Sequence, residues 1–115
     1  MIENIKSQMR KGMLEYCILL CLSRQEAYTS EIISMMKNAD LLVVEGTLYP
    51  LLSRMKQQGW LNYRWQESTE GPPRKYYCIT EEGSLLLEGL KAEWGAIASA
   101  INNLANTQDT IDNKQ

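Results

Sequence analysis

Apolar positions along the chain recur with two different periods, and the change of period divides it into helices and a hairpin. Over residues 4–23 two stripes run at helical spacing: Met9, Met13, Tyr16 and Leu20 on one, Leu14, Ile18 and Leu22 on the other. Together they make the second half of this segment apolar nearly all round, which predicts a buried helix with Arg10 and Lys11 at its polar front end. Thr29 or Ser30 can cap a second helix of about 30–39, with Ile32, Ile33, Met35 and Met36 inward. The connection 40–45 (DLLVVE) is more apolar than a loop, so Leu42 to Val44 are expected to pair briefly with a strand. In the stretch EGTLYPLLSRMKQQGW, Leu48, Leu51, Leu52 and Met55 form one apolar helical face, and Thr47, Tyr49, Ser53, Arg54 and Lys56 occupy the other side. Pro50 fits only near a helix start, which sets the beginning close to Gly46 or Thr47, and Gly59 ends the helix.

The period then drops to two. In WLNYRWQE, Leu61, Tyr63 and Trp65 alternate with Asn62 and Arg64, as in a strand over 60–67. The turn STEGPP leads to a second strand over 74–80, giving a hairpin with a longer loop than the commonest kind and Arg74 and Lys75 just after its tip. A final helix is predicted over 81–105, capped by Thr80, with Glu81 and Glu82 suited to the positive end of its dipole. Along it Leu87, Leu90, Trp94, Ile97, Ile101 and Leu104 recur at alternating spacings of three and four, a heptad seam that calls for a second chain. The fold class is therefore mainly α with a small β-hairpin: a winged helix-turn-helix over 1–80, a dimerisation helix over 81–105, and a polar, disordered tail over 106–115.

At 115 residues the chain is one domain, and its 44% hydrophobic and 23% charged content is ordinary for a soluble protein. No apolar run approaches the ~20 residues of a membrane helix, and the first residues lack a signal-peptide core, so a cytoplasmic location without membrane partners is expected. The absence of histidine excludes His-containing zinc sets and His-dependent acid–base schemes, and no Gly-rich phosphate loop is present. Neither an enzyme nor a cofactor is expected. Cys17 and Cys21, spaced i, i+4, could share a metal or redox site, but with Cys78 they are expected to be small buried hydrophobes.

The net charge of −2 looks wrong for a nucleic-acid binder until its distribution is considered. Residues 1–79 hold ten bases against eight acids, a balance of +2, and residues 80–115 two against six, −4. Any basic face must come from clustering of Arg10, Lys11, Arg54, Lys56, Arg74 and Lys75, with Glu45 working against it.

GTLYPLLSRMKQQGWL followed by GPPRKYYCITEEG resembles the PadR-type transcriptional regulators, and the likeness runs from about Met13 to Leu104. Its most specific parts are Gly46-Thr47-Leu48-Tyr49-Pro50, Arg54, Gly59, and Arg74-Lys75-Tyr76-Tyr77 with Ile79, Thr80 and Gly83. The single helix after the hairpin is similar to the smaller subfamily, which includes multidrug-sensing repressors. The resemblance and the winged-helix layout together imply that helix 45–58 enters the major groove of double-stranded DNA. There Thr47, Tyr49, Ser53, Arg54 and Lys56 reach bases or phosphates, Arg74 and Lys75 contact phosphate or the minor groove from the wing, and first-turn N–H groups near Thr47 hold a phosphate. They also imply a homodimer acting as a repressor on an inverted repeat, with two readings of Trp94: a simple anchor of the dimer interface, or the site of a planar aromatic effector, where Ala98 and Ser99 supply none of the charge a cation would need. The alternative is a winged-helix protein-interaction module without significant DNA affinity.

Overall fold

The computed structural model describes residues 1–107. Its elements are α1 (Ile2–Arg24), α2 (Thr29–Asn38), α3 (Glu45–Gln57), β1 (Leu61–Ser68), β2 (Gly71–Ile79) and α4 (Glu81–Ala105). Residues 108–115, most of the predicted tail, lie outside the described residues; at Asn106 and Thr107 the chain is still finishing α4, and the Thr107 hydroxyl donates to Asn103 O at 2.8 Å.

The core forms where α1, α2, α3, the hairpin and the start of α4 converge. Ile18, Leu19, Ile32, Leu48, Leu52, Met55 and Leu61 are fully enclosed there. Of the two stripes on α1, the one through Leu14, Ile18 and Leu22 is buried, whereas Met9 is exposed and Met13, Tyr16 and Leu20 are half-covered. The cap of α2 is Tyr28 rather than Thr29 or Ser30: the Glu31 carboxylate accepts from the Tyr28 N–H at 3.1 Å, a reciprocal contact available only to the residue three before an acid.

Three further expectations are corrected. Helix α3 starts at Glu45, so Pro50 is inside it and Gly46 O has no proline N–H to accept from. The hairpin turns tightly at Thr69 and Glu70, with Ser68 opposite Gly71 and a bulge between Gln66 and Ser68 that accommodates Pro72 and Pro73. The basic pair thus stands on β2, opposite Trp65 and Gln66, and the tip itself carries Glu70. The extra pairing partner of the wing is Ala27, bridged to Tyr77 by bonds of 2.9 and 3.1 Å, not Leu42–Val44. Residues 41–44 alternate without joining the sheet: Leu41 and Val43 pack on the core while Leu42 and Val44 are each 68% exposed.

Gly59 ends α3 in the left-handed region (φ +83°), with Trp60 N–H donating to Met55 O and Gly59 N–H to Lys56 O, both at 3.0 Å. Thr80 caps α4 as predicted: its hydroxyl oxygen accepts from Gly83 N–H at 3.0 Å and donates to Gly59 O at 2.6 Å. Gly83 is required by close approach, because a Cβ there would lie 2.1 Å from Trp60 O. These contacts fasten α4 to the end of α3.

Candidate nucleic-acid interface

Helix α3 buries Leu48, Leu52 and Met55 and turns its remaining sides outward. Its 3.6-residue period splits the polar positions between two flanks. On one flank Glu45, Tyr49 and Ser53 face Arg74 and Lys75 of the wing across an open cleft of about 410 Å3, whose floor includes Thr29 and Ser30 at the start of α2. On the other, Thr47 and Pro50 face Arg10 and Lys11 of α1 across a second cleft of about 560 Å3. Arg10 is anchored there by donating to Leu42 O. Cations therefore stand on both sides of α3, and its most exposed edge lies between them.

Adjacent strand residues point to opposite faces, and this separates the two wing cations. Lys75 shares a face with Tyr63, Trp65 and Tyr77; its ammonium lies 4.5 Å from the Tyr63 ring centre and 5.3 Å from that of Trp65. Lys56, from α3, approaches the same Tyr63 ring at 6.0 Å. Arg74 takes the other face, its guanidinium 4.5 Å from the Tyr28 ring. Tyr28 in turn meets Tyr76 edge-on at 5.1 Å, and Arg64 covers Tyr76 at 5.0 Å. Ring faces attract cations, so Tyr28, Tyr63, Trp65 and Tyr76 hold the basic groups in place. Burial pushes the Tyr77 phenol up from its ordinary value, and neighbouring Tyr63 and Tyr49 add to that, so it stays a neutral core group.

Arg54 departs from the expected arrangement. It pairs with Glu15 of α1, which draws its guanidinium along the first helix and cancels its charge locally. The Thr47 N–H also differs from expectation: it donates to Val44 O at 3.0 Å and is not available to a phosphate. Glu45 in the same first turn already complements the helix dipole. The predicted set is thus only partly gathered: Tyr49, Ser53, Arg74 and Lys75 line one cleft, Lys56 stands beside it through Tyr63, Thr47 lines the other, and Arg54 turns toward α1. Missing from it were Tyr28, Tyr63 and Arg64. The last is held by Glu26 at 3.0 Å and by Gln66 at 2.6 Å. For Tyr63 and Arg64 the signal was the alternation of the hairpin, which places Tyr63 two residues from Trp65 on the face of Lys75 and Arg64 on the face of Arg74.

On α4 the six seam positions separate. Leu87 is 3% exposed and belongs to the core of its own chain, which corrects its assignment to an intermolecular seam, and Leu90 packs against the same core. Trp94, Ile97, Ile101 and Leu104 are 45–75% exposed. Trp94 touches only the edge of the domain, its ring centre 6.3 Å from that of Tyr16.

A model of the PadR-like family of transcriptional regulators matches residues 18–89, which run from the buried half of α1 through α2, α3 and the hairpin to the start of α4. The chain belongs to the PadR-like family of transcriptional regulators. It is 55% identical to a PadR-like transcription factor from Bacteroides fragilis, covering 88% of this chain and 98% of that one, with a TM-score of 0.75. A PadR-like regulator from Bacillus cereus is 42% identical over 86% of this chain and 97% of its own, with a TM-score of 0.76. A PadR-family regulator from Eggerthella lenta is 30% identical over 90% and 88% of the two chains, also at 0.76. An uncharacterised protein of Lysinibacillus sphaericus is 29% identical over 101 residues, 85% of this chain and 93% of its own. PadR-like regulators are DNA-binding proteins that control transcription. Helix α3 and the hairpin of this member occupy the places of the second helix of the helix-turn-helix and of the wing in a winged helix. No helix among the described residues is long and apolar enough to cross a membrane.

Proposed function

We propose that this PadR-like protein is a homodimeric repressor that binds an inverted-repeat operator through α3 and the wing of each protomer. The observation that carries the reading is the cleft in which Tyr49 and Ser53 of α3 face Arg74 and Lys75 of β2. A helix in the major groove with a cationic arm beside it matches the winged-helix mode of docking. Tyr49, Ser53 and Thr47 are the candidates for base edges, and Lys56, Arg74 and Lys75 for phosphates. Arg54 contributes only if DNA competes successfully with Glu15. The DNA-binding part is residues 1–80, and self-association uses 81–105, chiefly the exposed face beyond Leu90. Two half-sites about one helical turn apart follow from two-fold symmetry. A planar aromatic effector at paired Trp94 rings would act by favouring one spacing of the wings.

The second reading, a protein-interaction module without DNA affinity, is favoured by Glu45 in the cleft and by the low basic balance of residues 1–79. Gel-shift titration against the DNA upstream of the protein's own gene separates the two. Each phosphate contact adds about 0.9 to the slope of log affinity against log salt. The Arg74→Ala/Lys75→Ala variant should therefore lose about 1.8 from that slope, and weaken binding to all sequences alike. An unchanged slope removes the wing from the contact set, and no shift with any upstream fragment favours the second reading.

A further inference from the structure

Away from the DNA-facing surface, Cys17 and Cys21 stand one turn apart on α1 and both line a cleft of about 520 Å3. Met35 and Met36 of α2 also line it, as do Arg24 of α1 and Lys91 of α4. Both thiols are outside any disulfide and half-buried, packed on the edge of the core with part of each side chain open to the cleft. Burial pushes both thiols up from their ordinary value; on Cys21, Cys17 adds to this and Arg24 opposes it.

The spacing favours one kind of occupant. Side chains four apart on a helix have Cβ atoms about 5–6 Å apart, too far for the roughly 3.5–4.5 Å of a disulfide. With metal–sulfur bonds of about 2.3 Å, as in zinc thiolates, a linear sulfur–metal–sulfur unit spans about 4.6 Å, which a helical one-turn pair can reach. Zinc itself needs four hard or borderline donors, and among the described residues no group of three or more His, Cys, Asp or Glu is placed to hold a metal. Thiolates with thioethers beside them select soft ions.

We propose that Cys17 and Cys21 form a two-coordinate site for copper(I), with Met35 and Met36 as its thioether wall. On binding, each thiol releases one proton and each sulfur forms one bond to the ion, leaving a complex of charge −1. Arg24 and Lys91 balance that charge. Because protons compete for the sulfurs, affinity rises with pH. The site is independent of the DNA-binding reading, and its test contains no DNA.

The experiment is anaerobic titration of the reduced full-length protein with copper(I) against bicinchoninate as competitor. Wild type should take up a single copper(I) per protomer. Losing an outer partner of a metal site costs about 10–100-fold in affinity, so losing one of two ligands in Cys17→Ser or Cys21→Ser should cost at least about 100-fold, with Cys78→Ser unchanged. A second measurement needs no variant: copper(I) should shield Cys17 and Cys21 of the wild type from iodoacetamide while Cys78 is alkylated at its usual rate. Equal affinity in wild type and the double Cys17→Ser/Cys21→Ser variant, or shielding absent at Cys17 and Cys21, overturns the proposal.

Discussion

Replacing Gly83 by alanine tests the joint between the winged domain and α4. The added Cβ would lie 2.1 Å from Trp60 O and 2.8 Å from Ile79 Cγ1. An ordinary contact is about 3.5 Å, and the carbonyl is backbone, so α4 must lift by about 1.4 Å. That movement acts on two bonds, Thr80 N–H to Trp60 O at 3.0 Å and Gly83 N–H to the Thr80 hydroxyl at 3.0 Å. Overpacking costs about 1–3 kcal/mol, and a weakened cap and a weakened backbone bond about 1 kcal/mol each. Alanine returns about 1 kcal/mol through its better helix propensity. The net loss is about 2–4 kcal/mol, which lowers the melting temperature by about 8–17 °C in a domain of this size. Gly89 on the same helix has no atom within 4 Å of a built Cβ. Gly89→Ala should therefore stabilise by about 1 kcal/mol. Thermal unfolding followed by far-UV circular dichroism reads both. A Gly83→Ala protein melting at or above wild type, or both substitutions shifting stability in the same direction, refutes the close-approach argument.

Ile97→Asp with Ile101→Asp should yield a folded monomer by sedimentation equilibrium, because both side chains are exposed in the protomer and only self-association would bury the charges; a wild type that is already monomeric at micromolar concentration defeats the seam. Tyr49→Phe should keep the melting temperature and lose operator preference in gel shifts, since the ring is half exposed in the α3–wing cleft; a large stability loss in Tyr49→Ala would instead make it a packing residue. A planar aromatic dye bound at the dimer seam should quench Trp94 fluorescence and bind Trp94→Leu more weakly, and equal binding to both proteins would remove Trp94 from the effector site.

The helices were legible because burial and period coincide: Leu48, Leu52 and Met55 recur at helical spacing and are all enclosed. The Thr80 cap and the Gly59 stop were legible because each depends on local chemistry alone. Most of what escaped depends on partners distant in sequence. Leu42–Val44 has the composition of a strand, but the wing edge it would need is bridged to Ala27. Arg54 reads as a polar-face cation, and only the packing of α3 on α1 brings Glu15 to it. The seam on α4 keeps one heptad pattern throughout, yet its beginning faces its own core and its end faces outward. A heptad records that a position is apolar and cannot record which chain covers it. The start of α2 escaped for a local reason instead. Tyrosine is not among the favoured cap residues, so the signal lay three residues on, in the Glu31 carboxylate that receives the Tyr28 N–H.

The division of α4 also constrains any regulation through it. Its first two turns are fixed to the end of α3 by Gly83 against Trp60 O and by Thr80 bridging Gly59 and Gly83. The exposed face begins at Trp94, about three turns beyond Gly83. In a homodimer built on that face, a continuous helix carries any change of angle at the seam directly to the end of each recognition helix. Few intervening side chains need rearrange, so the coupling rests on the stiffness of α4 and of the Thr80–Gly83 joint. A ligand at the seam can change DNA affinity only by as much as it prefers one dimer geometry to another. Loosening the joint should then weaken that coupling while leaving ligand affinity intact, because the joint lies outside the seam.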